Sequence, residues 1–280
     1  MESLAIGIGL GSAFFYGLSA VVIRRGNPTH VIDVVHFSIA FNLLASSVLY
    51  AALSRSYNLW SFGVLALSGM LAPGIARVLN YRSIPVIGAS SASTISNSAP
   101  IFSTAMAFFL LGEELTVFRF AGNLMVVAGL LTLVQPLSIE TLKRAGPAFG
   151  AAFLYGTAYV LRRAGSMTLR DPFFGTFSTT FGSLVAMLLL RSLGSGGRNL
   201  LIPRPDRLSV VVGIITTLAL LLQLLAFSLG DAIVVAPAVS SSPIFATVLA
   251  SIFLRNKEDV KLKHFAAAIL VFCGIVLLNF

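Results

Sequence analysis

Apolar windows succeed one another along the chain, near residues 4–23, 34–53, 61–81, 86–111, 117–137, 146–161, 172–193, 208–229, 232–254 and 262–279. Each closes on a polar break: Arg24-Arg25-Gly26-Asn27-Pro28, Ser54-Arg55, Arg82, Glu113-Glu114, Lys143-Arg144, Arg162-Arg163, Gly194 to Arg207, Asp231, and Arg255 to Lys263. Runs of about 20 apolar residues match the hydrocarbon core of a bilayer and are far too long for the strands of a membrane barrel. A backbone in lipid must satisfy its own hydrogen bonds, so each window is predicted as a helix. The expected fold class is an all-α membrane protein of ten transmembrane helices. The sixth window is short and is expected to borrow residues on either side.

Composition strengthens this reading. The 280 residues are 57% hydrophobic and only 10% charged, against about 25% charged in soluble chains. Ten spans leave room for short connections only, which excludes a soluble motor, kinase or DNA-binding domain. The net charge of +9 would suggest nucleic acid in a soluble chain. Here the cations gather at window ends and short loops, where they mark membrane orientation, so the expected partner is the lipid bilayer and not nucleic acid. Cys273 is the single cysteine, which excludes an intramolecular disulfide. Leu4 to Ile23 exceeds a signal-peptide core and is predicted as a retained first span.

The chain also repeats itself. At an offset of 139 residues, Gly7, Gly11, Ala13, Phe14, Tyr16, Gly17, Val21, Arg24 and Gly26 fall on Gly146, Gly150, Ala152, Phe153, Tyr155, Gly156, Val160, Arg163 and Gly165. At an offset of 143, Ser98-Ala99-Pro100-Ile101-Phe102-Ser103-Thr104 falls on Ser241-Ser242-Pro243-Ile244-Phe245-Ala246-Thr247. Residues 1–140 and 141–280 are therefore predicted as two homologous five-helix repeats. Five is odd, so the second repeat must enter the membrane from the opposite side. Inverted repeats are a common transporter architecture, although channels use them too.

The run Leu111-Gly112-Glu113-Glu114-Leu115-Thr116, the Ser-Ala-Pro-Ile-Phe run from Ser98 and the Gly122…Gly129 pattern resemble the drug/metabolite transporter superfamily, of the ten-helix EamA type. The second repeat departs from it, with Arg255-Asn256-Lys257-Glu258 replacing the Gly-Glu turn. The resemblance implies secondary transport of small metabolites such as amino acids, nucleobases or related compounds, usually outward, at a cell membrane; the wider superfamily extends this to sugar-phosphates and nucleotide-sugars, which Arg77 would suit. It also implies cytoplasmic termini, whereas the distribution of loop cations places both termini outside. The related small multidrug-resistance proteins carry a glutamate in their first helix; this chain has Phe14-Phe15-Tyr16-Gly17 there, so that proton-exchange device does not carry over.

Candidate site residues are the polar groups inside apolar windows. Pro100 and Pro243 occupy matched positions in the fourth and ninth windows and are predicted to loosen both helices. Ser93, Asn97, Pro100 and Thr104 form one helical stripe, matched by Ala236, Ser240, Pro243 and Thr247, with Ser241 beside it. Interrupted helices at matched places point to a binding site, while small hydroxyl residues also serve close packing. Arg77, Asn80 and Tyr81 share a face of the third window, and Gln223 stands where Asn80 stands in the first repeat. Arg77 either binds an anionic group or snorkels to the headgroups. Tyr16, Tyr155 and Tyr159 either line a path or pack helices, and Asn42 is a further candidate. Gly7-x-x-x-Gly11 and Gly146-x-x-x-Gly150 are expected to be close-packing stripes.

No window carries a central carboxylate, and no cofactor motif or metal cluster stands out. Isolated serines lack a nearby base, so a membrane-embedded protease is a distant reading. The function expected is alternating-access transport of a small-molecule substrate, with a passive channel as its rival and the coupling ion open.

Overall fold

Residues 1–26, 31–54, 56–87, 92, 95–132, 143–194, 207–253 and 262–280 are described by the computed structural model. The apolar windows fold as helices because only a helix satisfies every backbone group within one segment, and the described residues contain no strand. In chain order the helices are α1 (Glu2–Gly26), α2 (Val31–Leu53), α3 (Leu59–Gly69), α4 (Ala76–Ile87), α5 (Ala99–Met106), α6 (Val117–Thr132), α7 (Gly146–Thr168), α8 (Pro172–Gly194), α9 (Arg207–Leu229), α10 (Ala232–Ser240), α11 (Ser242–Phe253) and α12 (Leu262–Leu277). Two π-helical segments, Met70–Ile75 and Ala107–Leu111, join α3 to α4 and extend α5. Among the described residues, six stretches are long and apolar enough to cross a membrane: Glu2–Gly26, Asp33–Leu53, Leu59–Asn80, Pro172–Ser192, Arg207–Leu229 and Ala232–Phe253.

Local chemistry sets the ends. Asn58 caps α3 by accepting the Ser61 N–H at 2.9 Å, and the Asp171 carboxylate accepts the N–H groups of Phe173 and Phe174 at the start of α8. Gly112 ends the α5 extension in the left-handed region at φ 66°, where a side chain would be strained. That turn points Glu113 back toward the protein.

Three expectations need correction. Arg82 does not end the third window, because α4 continues to Ile87. Arg162-Arg163 is not a polar break either: α7 runs through it to Thr168, since Arg162 finds acceptors inside the protein. The Gly7/Gly11 and Gly146/Gly150 stripes make no close approach. A Cβ at Gly7 or Gly146 would meet nothing within 4 Å, and one at Gly11 or Gly150 only a leucine methyl at ordinary contact. In these two helices the close crossings lie further along, at Gly17, where a Cβ would come within 2.7 Å of Ala246 N, and at Gly156, where it would come within 2.7 Å of Phe102 Cβ.

Those crossings show how the molecule is assembled. Helix α1 packs along α9 and against α10 and α11, while α7 packs along α3, α4 and α5. The first helix of each half thus sits in the other half. The Ser12 hydroxyl donates to the Ala219 carbonyl at 2.8 Å across the first of these contacts. Helices α6 and α12 pair with each other. The space left between the crossed halves is the site.

Candidate functional site

The helix breaks form first, from local sequence. Between Ile95 and Ala99 the chain turns at Asn97 and Ser98; between α10 and α11 it turns at Ser241. Ser98 (φ −76°, ψ 7°) and Ser241 (φ −72°, ψ 0°) have nearly the same backbone. Each folds its hydroxyl onto the carbonyl three residues back, Ile95 at 2.7 Å and Ala238 at 2.6 Å. Pro100 and Pro243 lie in the first turn of the helices that follow, not in mid-helix as expected. A proline there needs no N–H partner, because first-turn N–H groups have none. The interruption therefore precedes each proline.

A third break was not foreseen. The chain is extended at Ala72 (φ −147°, ψ 123°), just before Pro73. The Ala72 carbonyl is released from the helical ladder and accepts Arg162 Nη2 at 2.5 Å.

These breaks surround a cavity of about 150 Å³. Of the predicted residues, Tyr16, Arg77, Asn80, Asn97, Tyr155, Tyr159 and Gln223 line it, joined by Pro73, Ser96, Arg162, Val239 and Ser242. Arg77 thus stands at the cavity wall. Arg162 is only 3% exposed. Its Nη1 donates to Gln223 Oε1 at 2.8 Å, an oxygen that also accepts the Tyr16 hydroxyl at 3.2 Å. The guanidinium carbon lies 5.9 Å from the Tyr159 ring centre, within cation–π range. All of these partners are neutral.

A chamber of about 20 Å³ adjoins the cavity, sharing Tyr16, Pro73 and Arg77 and reaching Asn42, Thr180, Ser183 and Thr216. Asn42 is engaged in holding helices together. In its satisfied orientation the amide nitrogen donates to the Ser38 and Gly213 carbonyls at 2.8 Å each, and the oxygen accepts the Thr216 hydroxyl at 3.1 Å. Ser240 and Ser241 are buried at the break behind the cavity wall. Ser93 and the side chain of Tyr81 lie outside the described residues.

At the end of the bundle where α1 begins, ionic groups from five segments meet. Arg119 on α6 grips both Glu2 oxygens at 2.9 and 2.8 Å and lies 3.5 Å from Asp231. Arg163 on α7 donates to Asp231 at 2.8 Å and to the Phe227 carbonyl at 3.0 Å, with its Nε 3.4 Å from Glu113. Glu113 accepts the Ala232 and Ile233 N–H groups at 2.8 and 2.9 Å, capping α10 where the helix dipole favours an anion. Burial raises the Glu113 carboxyl above its ordinary value, against the opposing pull of those N–H groups and of Arg163. Beneath it Asn123 accepts the Thr104 hydroxyl at 2.9 Å and donates to the Ile233 carbonyl at 3.1 Å. This clasp ties α1, α6, α7, α10 and the turn after α5 at one face.

The model of the EamA-like transporter family matches residues 3–135 and again residues 146–280. The chain belongs to the EamA-like transporter family. This EamA-like chain is thus a membrane transporter with a repeated architecture, and its breaks, cavity and clasp are parts of a transport protein. Comparison with curated proteins gives no match. A solved crystal structure, described only as that of a protein, has a TM-score of 0.80 at 15% identity, covering 100% of this chain and 99% of its own. That likeness is one of fold.

Sequence reasoning missed Arg162 and Pro73 in this EamA-like transporter. Arg162 has a signal in the sequence, since it is the first of two arginines while its counterpart in the other repeat is Ile23. An unmatched arginine entering an apolar position is worth following one turn inward.

Proposed function

We propose that the chain is a secondary transporter of ten spans, built as two inverted five-helix repeats over 1–140 and 141–280. It moves small metabolites across a cell membrane by alternating access, in the outward direction. One observation carries this reading. Two nearly identical helix breaks, at Ser98 and Ser241, border one cavity with polar side chains in its wall from opposite halves of the chain. Matched interrupted helices are how inverted-repeat transporters build a midplane site that either side can reach in turn.

The clasp supports the same cycle. Five segments tied by Arg119 and Arg163 form a closed end, and the alternate state must part them. Charges held partly out of water regain hydration when they are separated, which offsets part of the lost attraction and keeps such a closure reversible.

Purified protein in proteoliposomes tests the proposal. Counterflow of labelled small metabolites is expected to saturate and to be accelerated by unlabelled solute on the far side. Flux that rises linearly with concentration and ignores the far-side solute would make the protein a passive channel and overturn the reading.

A further inference from the structure

We infer that the cavity binds a small organic anion bearing hydroxyl but no ammonium groups, a hydroxy-carboxylate or a compact phosphate ester, with Arg162 as its anchor and Arg77 as its second cation. This rests on the transport reading of the same cavity and names its substrate class.

Charge carries the argument furthest. Among the described residues, two guanidinium groups line the cavity and no carboxylate does. The described acids lie elsewhere: Glu2, Glu113 and Asp231 in the clasp, Asp33 with Arg191 at 3.0 Å, Asp171 with Ser54 and the start of α8, and Glu114 exposed in the turn after α5. Arg162 is buried with neutral partners only, and its Nε has no hydrogen-bond partner at all. A buried cation without a counter-ion is strongly disfavoured unless its site is filled by an anion. The Ala72 carbonyl and Gln223 Oε1 hold the guanidinium from two sides, so its plane is fixed before a ligand arrives. Such a fixed fork recognises a carboxylate or phosphate by charge-assisted hydrogen bonds. No hydrogen bond or ion pair engages Arg77 among the described residues, so its head is available to the same ligand.

The remaining wall chooses among anions. Asn80 and Ser96 line the cavity, and the Oδ1 of the first and the Oγ of the second are buried without a partner. Each accepts a ligand O–H. An ammonium group finds no carboxylate there and meets two like charges, and the ring of Tyr159 is already occupied by Arg162. Size agrees: a cavity of about 150 Å³ holds a molecule of benzene's dimensions, room enough for a three- or four-carbon acid.

Isosteric pairs test the inference in proteoliposomes. Lactate against alanine, and malate against aspartate, exchange one hydroxyl for one ammonium; glycerol 3-phosphate and uracil complete the panel. Saturable counterflow is expected for the hydroxy acids or the phosphate ester, with kcat/KM at least tenfold above the ammonium partner. Arg162→Gln is expected to raise KM for these anions at least tenfold, and Arg162→Lys, which keeps the charge without the fork, to recover part of that loss. Should R162Q not fold, Arg77→Gln carries the same test, because Arg77 supports nothing else. Equal or better transport of the ammonium partners or of uracil, with saturation, overturns this inference and leaves the transporter reading standing. Equal losses in R162Q and R162K on every solute also overturn it, by making Arg162 a purely structural brace. Absence of saturable flux for any solute overturns both.

Discussion

Substituting alanine at four glycines separates true helix contacts from apparent ones. At Gly17 the new Cβ would lie 2.7 Å from Ala246 N and 2.9 Å from both Phe245 Cβ and Ser242 O. At Gly156 it would lie 2.7 Å from Phe102 Cβ, 2.8 Å from Ala99 O and 3.0 Å from Ser103 N. Most of these atoms are backbone or its first carbon and cannot rotate away, so the whole helix must retreat. Overpacking of this kind costs about 1–3 kcal/mol, offset by roughly 0.5–1 kcal/mol from the better helix propensity of alanine. Gly7 and Gly146 have nothing within 4 Å, so only the favourable propensity remains. The two pairs should therefore differ by about 1–3 kcal/mol per site. At roughly 2–4 °C per kcal/mol for a chain of this size, that is a gap of several degrees in thermal unfolding of the detergent-purified protein. Gly17→Ala and Gly156→Ala touch separate crossings and should add. If Gly7→Ala lowered the unfolding temperature as far as Gly17→Ala, the packing argument would be wrong.

Other outcomes follow from the same contacts. Glu113→Gln removes one of the two oxygens that cap α10 and should destabilise by about 1–3 kcal/mol, read as a lower unfolding temperature; an unchanged temperature would show that the cap is dispensable. Asn42→Leu should cost about 1–3 kcal/mol while leaving substrate KM within twofold, since Asn42 holds α2 to α9 and its polar atoms are already occupied; a large KM change would return it to the binding wall. Arg119→Ala should loosen the clasp and, because part of the network is exposed, the difference from wild type should shrink as salt is raised. A salt-independent difference would place its effect in packing.

Much of this architecture was legible from the chain alone. Apolar windows gave the helices, because a span must be about 20 residues long whatever surrounds it. The polar residues flagged in those windows, Arg77, Asn80, Asn97 and Gln223 among them, do meet at one cavity, since such groups are expensive against lipid. Arg162 was not legible, as two adjacent arginines at the end of an apolar run look like an interface anchor. Only the folded molecule shows one turned inward to the Ala72 carbonyl and the other outward to Asp231. Glycine spacing misled for a related reason: the four-residue period marks a face, not what stands opposite it. The proline positions were right and their local role was not, because the missing N–H can be placed in a first turn once Ser98 or Ser241 has ended the helix before it.

The exchange of first helices between halves has a consequence for biogenesis. Ser12 waits for an acceptor 207 residues downstream, and the face around Gly17 stays bare until the ribosome has delivered Ala246. Helix α1 must therefore wait in the bilayer as a loosely held tenant until those later segments arrive, so maturation is a late event, and a polypeptide truncated before its eighth window would leave that helix without a home.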